Sequence, residues 1–414
     1  MSSRHPLARD PNGSNLALWA GIILVLTLIY SLRFSPPRTD PAQRIPSALP
    51  AQQAVIAPPT AVTPPPLPAD APIPRAEERL PVVTVDEKPP VVTPPELSGT
   101  GAAGRTIPAW WQVATPLPPV NAILVAPDGL VWAATEGGLA RITAGQGVLM
   151  TPEEGSFPAK PATALAHDGT SLWIGSFDGL FRSLDGRRFQ RYTSADGLAH
   201  DMIWSLHWDG AILWVGTQNG ISFLLPNGRF ETVTKAISNG GLADLWIGSL
   251  GKLGHYALCG NDDGLSVWDT RLPAANPSAW STIDMFATNL AHNWILSMAV
   301  SPQGTIWVAT PGGLCRLRTS VEQVMSGATA EWEVFNRSRG LPADRIDAVL
   351  PVGDDVWAGC TGGLARIRNG SARTITPADG LLASDVRALA AGSGTVWIGT
   401  SGGVQALALD LFDR

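Results

Sequence analysis

Two histidines stand at the same place in two look-alike segments: LAHDMI, where His200 precedes Asp201, and LAHNWI, where His292 precedes Asn293. An imidazole beside a carboxylate is the pairing on which general acid–base chemistry is built. Lys160, Asp244, the pair Asp344 and Arg345, and Asp385 hold the matching place in other segments, and Trp204, Trp246 and Trp294 lie close by. The same set can instead form a recognition surface, with the rings as anchors and the polar groups setting orientation. A plainer reading is that these are ordinary polar residues bracing loops. No Ser-His-Asp ordering, zinc spacing or phosphate loop accompanies them, and the Gly pairs lack the following helix that a nucleotide site requires. Cys259, Cys315 and Cys360 form no CxxC and read as small buried apolar residues. Neither a cofactor nor a metal is expected.

The elements that place these residues are written in repeats. VWAATEGGLARI at 131–142 returns as LWIGSFDGLFRS, LWVGTQNGISFL, IWVATPGGLCRL, VWAGCTGGLARI and VWIGTSGGVQAL, and a degenerate copy, ALCGNDDGLSVW, fills the one long gap. The anchors are Trp132, Trp173, Trp214, Leu258, Trp307, Trp357 and Trp397, spaced 40–50 residues apart. Such a period points to solenoids, propellers or arrays. Eleven or twelve residues before each anchor stands Val120, Ala162, Ile203, Ile247, Ile295, Ile346 or Val386, and two residues further on a small one, from Ala122 to Ala388. Seven aligned small residues suggest a place where backbones crowd, as at the axis of a closed ring. Each unit breaks into four short apolar stretches with Gly-containing turns and no helical period, which reads as a propeller blade. The last unit ends soon after its third stretch, and AWWQVAT at 109–115 resembles the fourth stretches elsewhere. The expectation is an all-β, seven-bladed β-propeller over 108–414, its final blade completed by the N-terminal strand, which removes open edges.

The rest of the chain is different material. Residues 1–15 are a short polar segment, and 16–32, LALWAGIILVLTLIYSL, is a 17-residue apolar run at the lower limit for crossing a bilayer. Trp19 and Tyr30 lie near its ends, where aromatic rings favour the interface. Arg33-Phe34-Ser35-Pro36 offers no small-residue cleavage site, so the run reads as an uncleaved transmembrane signal anchor. Residues 33–107 are proline-rich and read as a disordered, extended linker; its 73 positions from 35 to 107 could reach roughly 220 Å. Arginines flank the run on both sides, so charge alone does not orient it; insertion with the short N-terminus inside puts the propeller on the extracytoplasmic side of the cell membrane. Net charge is −6, which argues against a nucleic-acid surface.

The repeat column G-L…V-x-S/A-I…D-G…L-W-I-G-T…G-G-L-x-R resembles the two-component regulator propeller repeat. DGLAHDMIWSLHWDGAILWVGTQNGI and DGLLASDVRALAAGSGTVWIGTSGGV carry it best, and it runs across 108–414. The resemblance implies a propeller of the kind that often forms the extracytoplasmic sensor of membrane histidine kinases. No kinase, receiver or DNA-binding segment follows in this sequence, so it implies signalling through a separate partner, and an unidentified ligand or protein at the channel mouth. The virginiamycin B lyases resemble the same repeat. A lyase would need an acid–base histidine such as His200 with a carboxylate such as Asp201. Those enzymes draw their catalytic set from neighbouring blades, however, and His200 and His292 are two blades apart. A structural scaffold for an envelope complex is the third class.

Overall fold

The computed structural model describes residues 108–413, except 144, 151–156, 158 and 160. The expected anchor at 16–32, the linker at 33–107 and Lys160 lie outside the described residues. No helix among the described residues is long and apolar enough to cross a membrane.

The chain folds as an all-β, seven-bladed propeller of four-stranded antiparallel sheets. The inner strands of blades 1 to 7 are Val120–Val125, Ala162–His167, Ile203–Trp208, Ser249–Leu253, Ser297–Val300, Ile346–Val352 and Val386–Gly392. From each the chain steps outward through three partners, in blade 3 Leu213–Thr217, Gly220–Leu224 and Phe230–Val233. Every inner strand touches the inner strands on both sides of it, and that of blade 7 touches that of blade 1. The ring is closed as expected. Trp111–Pro116, set one to two residues beyond the expected strand, is the outer strand of blade 7, with Trp111 opposite Leu407 and Pro116 opposite Gly403.

The repeated dozen residues make the second and third strands and the turn between them. Each third strand opens on a glycine of positive φ: Gly138, Gly179, Gly220, Gly264, Gly313, Gly363 and Gly403, between 107° and 151°. Only glycine adopts this backbone without strain. A Cβ would also strike the outer strand, at Gly220 within 2.4 Å of the Val233 carbonyl oxygen. In five blades the hydroxyl three residues after the anchor locks the turn: Thr217 Oγ1 donates to the Gly220 carbonyl (2.8 Å) and accepts from the Asn219 N–H (3.0 Å), and Thr135 does the same with Gly138 and Gly137. Ser176, Thr310 and Thr400 repeat this.

A different glycine explains the aligned apolar column. Val120, Ala162, Ile203, Ile247, Ile295, Ile346 and Val386 are fully buried, several of them against the small residue two after the previous blade's anchor. A Cβ on Gly175 would meet Ile203 Cγ2 at 2.8 Å, and one on Gly216 the Ile247 carbonyl at 2.6 Å. The backbones crowd here, one strand out from the position the small column suggests.

Seven apolar clusters fill the seven seams between adjacent blades. A twisted sheet has two apolar faces and covers neither by itself, so the core lies between copies. The anchor rings are buried in these seams, except that Trp397 is half-buried beside a cavity of about 670 Å³ at the closing seam, lined also by Val125, Gly129 and Ala406. The arginine of G-G-L-x-R lies over its anchor ring, with Arg182 5.3 Å from Trp173 and Arg316 5.7 Å from Trp307. Two short α-helices were not expected: Val321–Met325, between the third and fourth strands of blade 5, and a terminal turn. That turn, Leu409–Phe412, folds back after the last strand and seats Phe412, 1% exposed, against Trp110 and Trp357 at 5.5 Å each. Cys259, Cys315 and Cys360 are buried free thiols, and burial pushes them up to about 12, 11 and 12.

Candidate binding site at the channel mouth

One end of the ring carries the starts of the inner strands, the loops that lead into them, and the turns between second and third strands. Five inner strands begin with one extra residue in the ladder: Asn121, Thr163, Trp204, Asp347 and Arg387. A bulge frees one side chain from the pleat and re-aims it. Two of these zip the ring: Asn121 Nδ2 donates to the Ala162 carbonyl (2.9 Å) and Thr163 Oγ1 to the Ile203 carbonyl (2.7 Å), each on the next blade. Arg387 of blade 7 pairs with Glu136 of blade 1 at 3.1 Å.

The others build an aromatic arc. Phe177, in the turn of blade 2, lies 4.8 Å from the bulged Trp204 of blade 3. Trp204 meets Trp246 of blade 4 edge to face at 5.0 Å, and Trp246 lies 5.6 Å from Trp294 of blade 5. The Arg345 guanidinium of blade 6 covers Trp294 at 5.5 Å and is held by Asp347 (2.8 Å). Trp204 Nε1 donates to Gln218 Oε1 at 2.8 Å, whereas the buried Trp246 Nε1 has no acceptor among the described residues. All three indoles are half-buried, each with some surface left to solvent. Rings fixed by residues of five blades form a platform that is organised before anything binds.

The polar residues singled out from the sequence sit on the loops around this arc. His200, Asp244 and His292 occupy equivalent positions in blades 3, 4 and 5. Each accepts the backbone N–H two residues on: His200 Nδ1 from Met202 (3.0 Å), Asp244 Oδ1 from Trp246 (2.8 Å), and His292 Nδ1 from Trp294 (3.0 Å). An imidazole so engaged carries its proton on Nε2, which donates rather than accepts. Asp201, Asn293 and Asp344 accept the N–H of Ser194 (2.6 Å), Met285 (2.6 Å) and Arg337 (2.9 Å), tying each loop across its base. Asp385 accepts the Ser401 hydroxyl at 2.5 Å. No group of three His, Cys, Asp or Glu gathers at metal-binding distance among the described residues.

Phe177, Gln218, Glu136, Asp347 and Asp262 escaped the sequence reading. Four of them hold the second position of the four-residue turn that ends on the third strand's glycine, the most variable place in the repeated stretch, and that variability was the available signal. Asp262 is raised to about 6, by burial first and then by the neighbouring charges of Asp244 and Asp263.

A family model described as two component regulator propeller matches residues 289–312, within the loop and first two strands of blade 5. No curated protein matches the chain. Among solved structures, the chain is similar to the extracellular domain of a protein assigned as a hybrid two component system from B. thetaiotaomicron. Identity is 18% and the TM-score 0.59, over 71% of this chain and 40% of that one. It is similar to PorZ, an essential surface component of the type-IX secretion system of Porphyromonas gingivalis, at 15% identity and TM-score 0.52, over 72% and 38% of the two chains. It is also similar to a catalytically inactive virginiamycin B lyase from Staphylococcus aureus, solved with quinupristin, at 13% identity and TM-score 0.53, over 70% and 95%. The chain thus spans about two fifths of the first two and nearly all of the lyase, and at these identities the likeness is one of fold. Sequence and architecture agree: the chain is a seven-bladed β-propeller, in which residues 289–312 of blade 5 match the two component regulator propeller model.

Proposed function

We propose that this protein is a membrane-anchored, extracytoplasmic propeller that works by binding at its channel mouth, as a sensor or interaction module acting through a separate partner. The observation that carries the reading is the arc Phe177–Trp204–Trp246–Trp294, assembled by four blades and left partly open to solvent. Concave mouths lined by aromatic and a few polar groups are where ligands bind. The apolar run at 16–32 supports the anchor. The similarity to an extracellular domain and to a surface component supports the location.

The polar groups argue against a lyase. His200 and His292 both spend Nδ1 on their own loops, and Asp201 braces the Ser194 turn, so the acid–base pair is not set up for proton abstraction. The experiment is complementation of a strain deleted for the gene. The double variant His200→Ala/His292→Ala restores the phenotype, and Trp204→Ala/Trp294→Ala, expressed and folded, does not. The reverse result moves the protein to the enzymes. Full activity of both variants points to a scaffold that uses another surface, which a stable stoichiometric partner of the tryptophan variant would show.

A further inference from the structure

We propose that the mouth over blades 3 to 5 receives a protein segment presenting an arginine or lysine side chain between apolar neighbours. This rests on reading the mouth as a binding site and names what it binds. Exposed large apolar side chains are few among the described residues, and four of the eight, Ile237, Leu245, Met285 and Phe286, fall in the two loops that lead into blades 4 and 5. Phe286 is 85% exposed. These loops also carry Trp246 and Trp294, and Asn293, next to Trp294, accepts the Met285 N–H at 2.6 Å. Contiguous exposed apolar groups rimmed by polar ones mark interaction sites, and their spread beyond the rings suits a chain rather than a small ion.

Charge selects the partner's polarity. On the far side, Glu136 is neutralised by Arg387 (3.1 Å) and Asp347 by Arg345 (2.7 Å), while Asp344 and Asp385 are held by the Arg337 N–H and the Ser401 hydroxyl. Asp244, Asp262 and Asp263 of blade 4 have no cationic group within 4.0 Å among the described residues. The nearby Lys235 spends its ammonium on the Ala243 carbonyl. Asp244 accepts the Trp246 N–H, and Asp262 feels the charges of Asp244 and Asp263, so these carboxylates share blade 4 with an indole whose face attracts cations. The molecule displays the contact itself, since the last ring of the arc already lies under the Arg345 guanidinium. A cation placed beside Trp246 would meet both the ring quadrupole and the carboxylates, while its apolar neighbours would cover Met285 and Phe286.

The test titrates the detergent-solubilised full chain with a pool of capped pentapeptides. Each has a fixed central arginine and flanks drawn from leucine, phenylalanine, valine and tyrosine. A second pool carries citrulline, neutral and of the same shape, at the centre, and a third carries glutamate. Tryptophan fluorescence and calorimetry read the binding. The arginine pool binds at least about fivefold tighter than the citrulline pool, and the glutamate pool does not bind. Asp262→Asn removes most of the difference between arginine and citrulline, and Phe286→Ser weakens both alike. Equal affinity of the arginine and citrulline pools overturns the proposal. So does absence of peptide binding up to millimolar concentration, and so does saturable binding of a neutral oligosaccharide such as cellohexaose in place of the peptides. If the peptides fail while Trp204→Ala/Trp294→Ala still abolishes complementation, the mouth remains the site and only the ligand class falls. If that variant complements fully, the mouth reading itself falls.

Discussion

Single residues show where the repeat is structural and where it is free. Asp209 sits at the end of the ring remote from the mouth. Burial would raise it, but hydrogen bonds from Lys252, Ile212, Ala211 and Trp214 outweigh that and bring it down to about 2. The folded state therefore holds the anion more tightly than the unfolded chain does. Its contribution is complete above the ordinary carboxylate value and fades as pH falls from about 4 towards 2. Asp262 runs the other way: raised to about 6, it lets the folded state keep a proton that the unfolded chain has lost, so stability declines as pH rises from about 4 to 6. Urea unfolding across pH, compared with Asp262→Asn, should show that decline flattened and the variant more stable than the parent at pH 7. Gly216→Ala places a methyl within 2.6 Å of the Ile247 carbonyl on the next blade. It should cost about 1–3 kcal/mol in the same assay, whereas alanine at Gln218, the variable turn position, should leave stability within about 0.5 kcal/mol.

At the scale of elements, the strands were legible because their code is short and repeated. An apolar residue at fixed distance before an anchor, a Gly pair after it and a small residue in between fix inner strand, second strand and turn in every blade. Even the Leu258 copy kept its register. The arc was only partly legible. Trp204 follows its buried column residue, while Trp246 and Trp294 precede theirs. They meet because a bulge in blade 3 turns Trp204 across the seam, and a one-residue bulge leaves no mark in a hydrophobic pattern. The terminal turn Leu409–Phe412 was missed because four residues carry no period. Phe412 nevertheless lies under the guanidinium groups of Arg366 and Arg373 as well as against two indoles. Phe412→Ala should lower stability by about 3–5 kcal/mol in denaturant unfolding. A Phe412→Leu variant should recover most of that loss.

For the whole molecule, closure outweighs any one seam. Removing 109–115 deletes most of the outer strand of blade 7, bares the Gly403–Ala408 edge and takes Trp111 from the seam with blade 6. Calorimetry should then show a lower melting temperature, and light scattering an onset of aggregation with it. The proposed location is checked by thiol labelling in intact cells. The three native cysteines are buried with raised pKa values, so a membrane-impermeant maleimide should leave the parent unlabelled and label Ser393→Cys, on an exposed turn. Labelling of that variant only after lysis would put the propeller inside. The pairing of Trp111–Pro116 with Gly403–Ala408 carries one more consequence. The earliest strand among the described residues is locked only by the last of them, so nascent protein must carry an unlatched β-edge while the other strands of all seven blades are made. A chaperone that shields that edge until translation ends should set the yield of correctly assembled rings.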